Sequence, residues 1–351
     1  MDAPRRTGYD VVVVGGGVIG LASAWRAAQR GLSVLVIERD EPGAGASGVA
    51  AGMLAPVTEA EFGEENALRL NMRSAEMWPA FAAELAERSG LDTGYAASGA
   101  LVVAADRDDG EELRRLLRFQ QSLQLGAEWL TSREARRLEP RLSPRIAGAI
   151  YAPGEAHVEP RAVVRALVAA LENAGGEILN ATAASVAPDA VALIDGTRIA
   201  AERVVVAAGC WTGAFDGAPQ VRPVKGQILR LRGREPLTER LVRTPRCYVV
   251  SRANGEVVVG ATVEEQGFDT TVTAGGVHRL LEAAWEVLPE IEELELVEAA
   301  ARLRPATRDN LPVIERTGGI VWATGHYRNG VLLAPVTADA VTKMLEPVGV
   351  A

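Results

Sequence analysis

The segment Gly15-Gly16-Gly17-Val18-Ile19-Gly20 sits between an apolar β-branched run over 10–14 and a helical stretch that reaches Arg30, with Gly31 as its stop signal. A second apolar strand is expected over 33–37, ending at Glu38. This order of strand, glycine turn, helix and strand allows few folds. Gly15 permits the tight turn, and Gly17 lets backbone approach a pyrophosphate at the helix start, where Val18 and Ile19 supply the next amides. Gly20 lets the helix pack closely on the strand. Glu38 follows Gly20 by 18 positions, placed for a carboxylate to hold ribose hydroxyls. A glycine-rich turn in an ordinary α/β domain would have no use for that acid. Arg39 could meet a 2′-phosphate, but Glu38 beside it would repel one, so NADP is disfavoured.

At 351 residues the chain is expected to hold two structural units. A net charge of −9 argues against nucleic acid or an anionic membrane as partner, and means that an anionic substrate needs a local cation. Two cysteines, Cys210 and Cys247, and three scattered histidines, His157, His278 and His326, give neither a disulfide framework nor a metal site. A reduced, cytoplasmic, metal-free enzyme is the expectation. Arg5 and Arg6 before the apolar run, with Ala22-Ser23-Ala24 resembling a cleavage site, imitate a secretory signal. Asp10 and the three glycines interrupt it, and the run is too short to span a membrane.

Further along, residues 40–52 read as a loop of low side-chain bulk. Helices are expected over 64–89, 108–125, 160–173 and 276–288, and strands over 100–104, 204–208, 226–231, 247–251, 256–261 and 320–324. Asp195-Gly196 marks a hairpin between 191–194 and 198–200. A helix is expected from about Arg328 onward. No repeat or low-complexity linker is present, so the two units should interleave along the chain.

The stretch Gly43-Ala44-Gly45-Ala46-Ser47-Gly48-Val49-Ala50-Ala51-Gly52-Met53 resembles the flavin-contacting loop of the D-amino-acid oxidase superfamily. Stretches 154–160, 205–212, 223–227, Leu303-Arg304-Pro305 and 325–335 resemble the same superfamily, and its glycine oxidase branch, tied to thiazole formation in thiamine biosynthesis, most closely. The resemblance implies an α/β fold in which a Rossmann-type FAD-binding domain (1–78, 148–221, 304–351) interleaves with an α+β substrate domain (79–147, 222–303) carrying an antiparallel sheet. It implies cofactor contacts at Gly15, Gly17, Val18, Ile19, Gly20, Glu38, Arg39, Ala46, Ser47, Ala51, Gly52, Met53 and Ala184. Others are implied at His326, Tyr327, Arg328, Asn329, Gly330, Val331 and Leu332, whose backbone amides at a helix start would stabilise a reduced flavin.

By the same resemblance Arg304 grips the substrate carboxylate, Tyr248 assists there, and Arg328 and Met53 line the pocket. A surface arginine, a half-buried sheet tyrosine and a core methionine are the plain alternatives. His157 and His278 read as structural, and His326 is not required as a base. Two departures from the glycine oxidase pattern, Val263 for a methionine and Arg246 for a histidine, put the substrate range in question. No cysteine lies in 302–305, where sarcosine oxidases tether the flavin, so FAD is expected to be noncovalent.

The expected reaction is oxidation of glycine, with sarcosine or small D-amino acids as further substrates, to the 2-oxo acid, ammonia and hydrogen peroxide, with oxygen as acceptor. The alternatives are a broader D-amino-acid oxidase, a quinone-linked dehydrogenase, and a flavoprotein subunit without turnover of its own. A homo-oligomer, tetrameric by resemblance, is also expected.

Overall fold

The computed structural model describes residue 6 and residues 8–346. Arg5 and the tail 347–351 of the last segment lie outside the described residues.

The glycine fingerprint forms as the sequence implies. Strand β1 (Gly8–Val14) leads through the turn into helix α1 (Val18–Gln29), which returns the chain to strand β2 (Val34–Glu38), parallel to β1. β1 also pairs in parallel with Arg198–Val206, which pairs in parallel with Ile320–Thr324, while β2 pairs in parallel with Glu177–Asn180. Val313–Thr317 closes one edge antiparallel, and a hairpin of Ala183–Ala187 and Ala190–Leu193 lies on Arg198–Val206.

Both faces of this sheet are covered, which explains its continuous β-branched runs. Val11 and Val13 pack on one side with Leu21 and Trp25 of α1, Leu167 of the helix Pro160–Asn173 and Val341 of the helix Ala334–Leu345. Val12, Val14, Leu35 and Ile37 pack on the other with Leu193 and Phe215.

A second eight-stranded sheet runs in the order Glu295–Ala306, Arg222–Arg232, Glu256–Gly260, Tyr248–Ser251, Leu241–Arg243, Ala100–Ala104, Gly148–Ala152 and Glu128–Thr131. It is antiparallel except where Leu241–Arg243 meets Ala100–Ala104. Leu229, Val249 and Val259 pack beneath the helix Ala274–Val287 through Leu280 and Ala284. The chain passes between the sheets several times, giving the interleaved α/β arrangement.

One expected element differs. No helix starts at Arg328: Tyr327–Asn329 is a short 3-10 turn, and the helix begins at Ala334. Pro335 explains the position, because a residue with no N–H and a fixed φ suits a first helical turn and is costly deeper in one. The backbone amides expected at a helix start therefore precede it, and that of Asn329 is already spent on the carbonyl of His326 at 2.9 Å.

Candidate active site and cofactor cavity

A cavity of about 1140 Å³ is lined by residues of both sheets. At one end is the glycine turn. Gly15 has φ +112°, and a Cβ there would lie 2.5 Å from the carbonyl oxygen of Ala207, so only glycine fits. Gly20 lies off the cavity and serves packing: its Cβ would meet the carbonyl oxygen of Gly15 at 1.9 Å. Gly17, Val18 and Ile19 line the cavity at the start of α1, and the amide of Val18 donates to Ser47 Oγ at 3.0 Å. Glu38 holds the end of β2, its Oε2 accepting from the amide of Gly16 at 2.6 Å and its Oε1 from Asp40 at 3.0 Å. Beside it Arg39 stacks over Trp211, 4.1 Å from guanidinium carbon to ring centroid. Ala184 is exposed and does not line the cavity, whereas its neighbour Ala183 does.

The loop over 43–53 brings Ala46, Ser47, Ala51, Gly52 and Met53 to the cavity wall. Its carbonyls are held by arginines distant in sequence. Arg302 Nε donates to Ala44 at 2.9 Å, and Arg161 Nε and Arg230 Nη2 donate to Gly48 at 2.7 and 3.2 Å. Arg252 bridges Ala51 and Val158 at 2.9 and 2.8 Å. Sequence reading missed these clamps, because nothing local in 161, 230 or 252 points to residue 48 or 51.

At the far end the strand Glu295–Ala306 presents Arg302 and Arg304 on one face, as residues two apart must be. Arg304 Nη1 donates to the carbonyl of Thr262 at 3.1 Å and more weakly to Lys225 at 3.5 Å. Its guanidinium lies over Gly226, where a Cβ would come within 2.4 Å of Nη2. Tyr248 stands nearby on its own strand, with its hydroxyl over Gly260. Burial raises its pKa above the usual phenol range, the positive charge of Arg304 opposing.

A turn that admits no Cβ, an acid fixed at a strand end and a loop without bulk, lining one cavity with Arg304, fit a dinucleotide cofactor. The family model for FAD-dependent oxidoreductases (DAO) matches residues 10–344. The chain belongs to this family.

This FAD-dependent oxidoreductase is 38% identical to the glycine oxidase of Geobacillus kaustophilus, over 96% of this chain and 93% of that one. It is 35% identical to ThiO of Rhizobium etli, provisionally a thiamine biosynthesis oxidoreductase, over 95% of this chain and 96% of that one. The crystal structure of the Geobacillus kaustophilus glycine oxidase superposes with a TM-score of 0.91, at 34% identity over 98% of this chain and 96% of that one. The Rossmann-type architecture and the FAD dependence of the enzyme follow.

The remaining site residues of this oxidoreductase are less uniform. Tyr327, Arg328, Gly330 and Val331 line the cavity, but Asn329 and Leu332 do not. Leu332 instead anchors the segment, its carbonyl accepting from Ser74 Oγ at 2.7 Å and Trp78 Nε1 at 2.8 Å. Arg328 is clamped by Glu61 at 2.7 Å and Glu64 at 2.8 Å, so its charge is already matched. Met53 pairs in register with His157 in a short two-stranded sheet.

His326 is buried against Thr337 Oγ1 at 2.9 Å, and burial depresses its pKa to about 3. His157 is likewise buried, at about 4, and His278 is exposed beside Glu282. Val263, on the loop after Gly260, is exposed at the cavity wall, and Arg246 there pairs with Glu286. Among the described residues no cluster of His, Cys, Asp and Glu could hold a metal ion.

Proposed function

We propose that the enzyme oxidises glycine, and other small amino acids of similar size, to the 2-oxo acid, ammonia and hydrogen peroxide. The observation that carries this reading is the placement of Arg304, a cation on the cavity wall with room made for it by Gly226. A guanidinium offers a planar carboxylate two parallel charge-assisted hydrogen bonds. Gripped there, the carboxylate leaves the α-carbon free to face the ring.

The bound flavin supplies the chemistry of accepting a hydride. The chain's residues do the rest. Tyr248, its hydroxyl kept protonated by burial, donates to the substrate carboxylate beside Arg304. His326 is neutral and tied to Thr337, so it neither carries charge to the site nor shuttles a proton. Without a base there, the reactive form of the substrate would be the free amine, whose lone pair can assist loss of the α-hydrogen.

Gly15, Gly17, Val18 and Ile19 cradle the pyrophosphate, Glu38 holds the ribose, and Arg39 flanks it. Ala46, Ser47, Ala51, Gly52 and Met53, with His326, Tyr327, Arg328, Gly330 and Val331, would surround the ring. The flavin stays noncovalent: residues 302–305 hold no cysteine, and Cys210, which lines the cavity, has a thiol pushed by burial up to about 12.

The division into a cofactor domain (1–78, 148–221, 304–351) and a substrate domain (79–147, 222–303) is part of the same reading. Sheet membership supports it with two exceptions, since the strand Gly148–Ala152 and the end of the strand Glu295–Ala306, from Arg304 on, lie in the second sheet. We extend to this enzyme a setting in thiamine biosynthesis, a homo-oligomeric state and a cytoplasmic location.

The test is spectroscopic. The purified protein should be yellow, bleach on anaerobic addition of glycine, and yield peroxide when oxygen returns. Bleaching with D-alanine or D-proline but not glycine would move the assignment to a broader D-amino-acid oxidase. Dye reduction without peroxide would favour a dehydrogenase. A protein that takes up no flavin would defeat the reading.

A further inference from the structure

We propose that Lys225 is a positioning residue for Arg304. It latches the segment over 262–273 onto the strand Arg222–Arg232, and so sets where the guanidinium meets a carboxylate. The inference rests on the amino-acid oxidase reading and goes beyond it, because the lysine lies outside the cavity and never touches substrate.

Successive residues of a strand face opposite sides, and this strand divides its roles accordingly. Gly226 and Ile228 line the cavity, whereas Lys225 and Gln227 do not and are 1% and 0% exposed. After Gly260 the chain leaves regular pairing but stays on the same strand. The amide of Thr262 donates to the carbonyl of Gln227 at 3.2 Å, and Lys225 and Glu264 exchange amide-to-carbonyl bonds of 2.9 and 3.0 Å. Residues 265–271 then run exposed before Thr273 caps the helix Ala274–Val287. Two buried side chains hold this segment in place. Lys225 Nζ donates to Asp269 Oδ2 at 2.6 Å, with Glu264 Oε2 at 3.8 Å. Gln227 Nε2 donates to Glu264 Oε1 at 2.7 Å, and its Oε1 accepts from the amide of Thr273 at 2.8 Å. Val263 and Thr270 of the segment line the cavity.

Arg304 leans on the same backbone. Its Nη1 donates to the carbonyls of Thr262 at 3.1 Å and Lys225 at 3.5 Å, and among the described residues these are its hydrogen-bond partners. A guanidinium steadied by two carbonyls follows them when they move. Stability alone is a poor reason for the lysine. Taking an ammonium out of water is costly, and well-packed apolar side chains often replace buried ion pairs without loss of stability. Asp269, its side chain 44% exposed, stays solvated without the lysine. The specific effect of the bond is geometric, tying an exposed loop to the strand that carries Gly226 under the anchor.

Lys225→Met keeps the length of the side chain and removes its charge. Titrating the holoenzyme with acetate, followed by the perturbation of the flavin spectrum, reads the anchor without turnover. The Kd for acetate should rise about tenfold, short of the roughly hundredfold cost of an ångström-scale misplacement. Flavin content should stay at the wild-type level. With glycine, KM should rise by a similar factor while kcat changes far less, the pattern of lost binding rather than lost chemistry. Lys225→Arg keeps a cation and should recover part of the loss. Asp269→Ala should weaken acetate in the same direction by about threefold, the scale of a half-exposed ion pair.

A double-mutant comparison assigns the effect to Arg304. In an Arg304→Ala background, Lys225→Met should leave acetate affinity unchanged, because the group it positions is gone. Wild-type acetate affinity in Lys225→Met, or an undiminished further loss in the Arg304→Ala background, would overturn the proposal. If Lys225→Met does not fold, Asp269→Ala carries the test, and wild-type acetate affinity in that variant would overturn it equally. An Arg304→Ala enzyme that binds acetate as tightly as the wild type would sink the underlying reading of Arg304, and the inference with it.

Discussion

The guanidinium of Arg304 lies across the α-carbon of Gly226, so that a methyl group on that carbon would stand 2.4 Å from Nη2 and 2.5 Å from Cζ. The two residues sit on neighbouring strands, Gly226 opposite Arg302 and Val224 opposite Arg304, so the arginine reaches diagonally over the glycine. Gly226→Ala should therefore act on the substrate through Arg304. The strand itself accommodates alanine, but the fork must move. Displacements on the ångström scale cost up to about a hundredfold in rate, so we expect kcat/KM for glycine to fall roughly 10- to 100-fold. Flavin content should stay at the wild-type level. Unchanged kinetics in a variant with full flavin would detach Gly226 from the site.

Replacing the arginine itself separates charge from geometry. Arg304→Ala removes a charged hydrogen-bonding partner worth about 1.5–3 kcal/mol, so KM for glycine should rise by an order of magnitude or more. Arg304→Lys keeps the charge but not the fork, and should recover only part of the loss. Steady-state kinetics with peroxide detection measure both. A lysine variant as good as the wild type would mean that the site needs only a point charge.

The contrast between Arg304 and the fingerprint shows what sequence can and cannot reveal. β1, α1 and β2 are legible because their constraints are local: the glycines, the apolar runs and Glu38 fall within one short unit. The strand that carries Arg304 is not. Residues 295–306 read Glu-Leu-Val-Glu-Ala-Ala-Ala-Arg-Leu-Arg-Pro-Ala, rich in helix formers, yet they pair along Arg222–Arg232 from Arg222–Ala306 to Arg232–Glu295. A long partner strand overrides weak local propensity. The ion pair of Arg243 with Glu59 was equally invisible, since the two residues arrive from distant parts of the chain. Arg304 itself was recognisable only by family resemblance, because a lone arginine is most often a surface residue.

Glu38 should govern cofactor affinity. Its two oxygens are spent on the amides of Gly16 and Asp40, at 2.6 and 3.0 Å, which fixes the carboxylate at the end of β2. In Glu38→Gln one of those amides faces an NH2 group, and the remaining bond loses its charge. We expect FAD affinity to fall about tenfold, in line with loss of roughly 1.5 kcal/mol from a charged hydrogen bond. Reconstitution of apoprotein, followed by fluorescence quenching of free FAD, measures it. Glycine kinetics at saturating FAD should change far less.

Glu155 sets a dependence of stability on pH. It is 1% exposed, and burial raises its pKa to about 8 despite hydrogen bonds from the amides of Val57 at 2.7 Å and Thr58 at 3.3 Å. Its folded pKa lies above the unfolded value of about 4.5, so the folded state binds the proton more tightly. Its contribution is therefore fully present below pH 4.5, declines as pH rises between about 4.5 and 8, and is lost above that window. The steepest slope is about 1.4 kcal/mol per pH unit. Glu155→Gln keeps an acceptor for Val57 and cannot ionise, so this component of the slope should vanish. Thermal melts of both proteins from pH 5 to 9 test it: the Tm of the variant should gain on that of the wild type as pH rises toward 8. A constant offset between the two curves would mean that Glu155 is ionised throughout, held by charges that outweigh its burial.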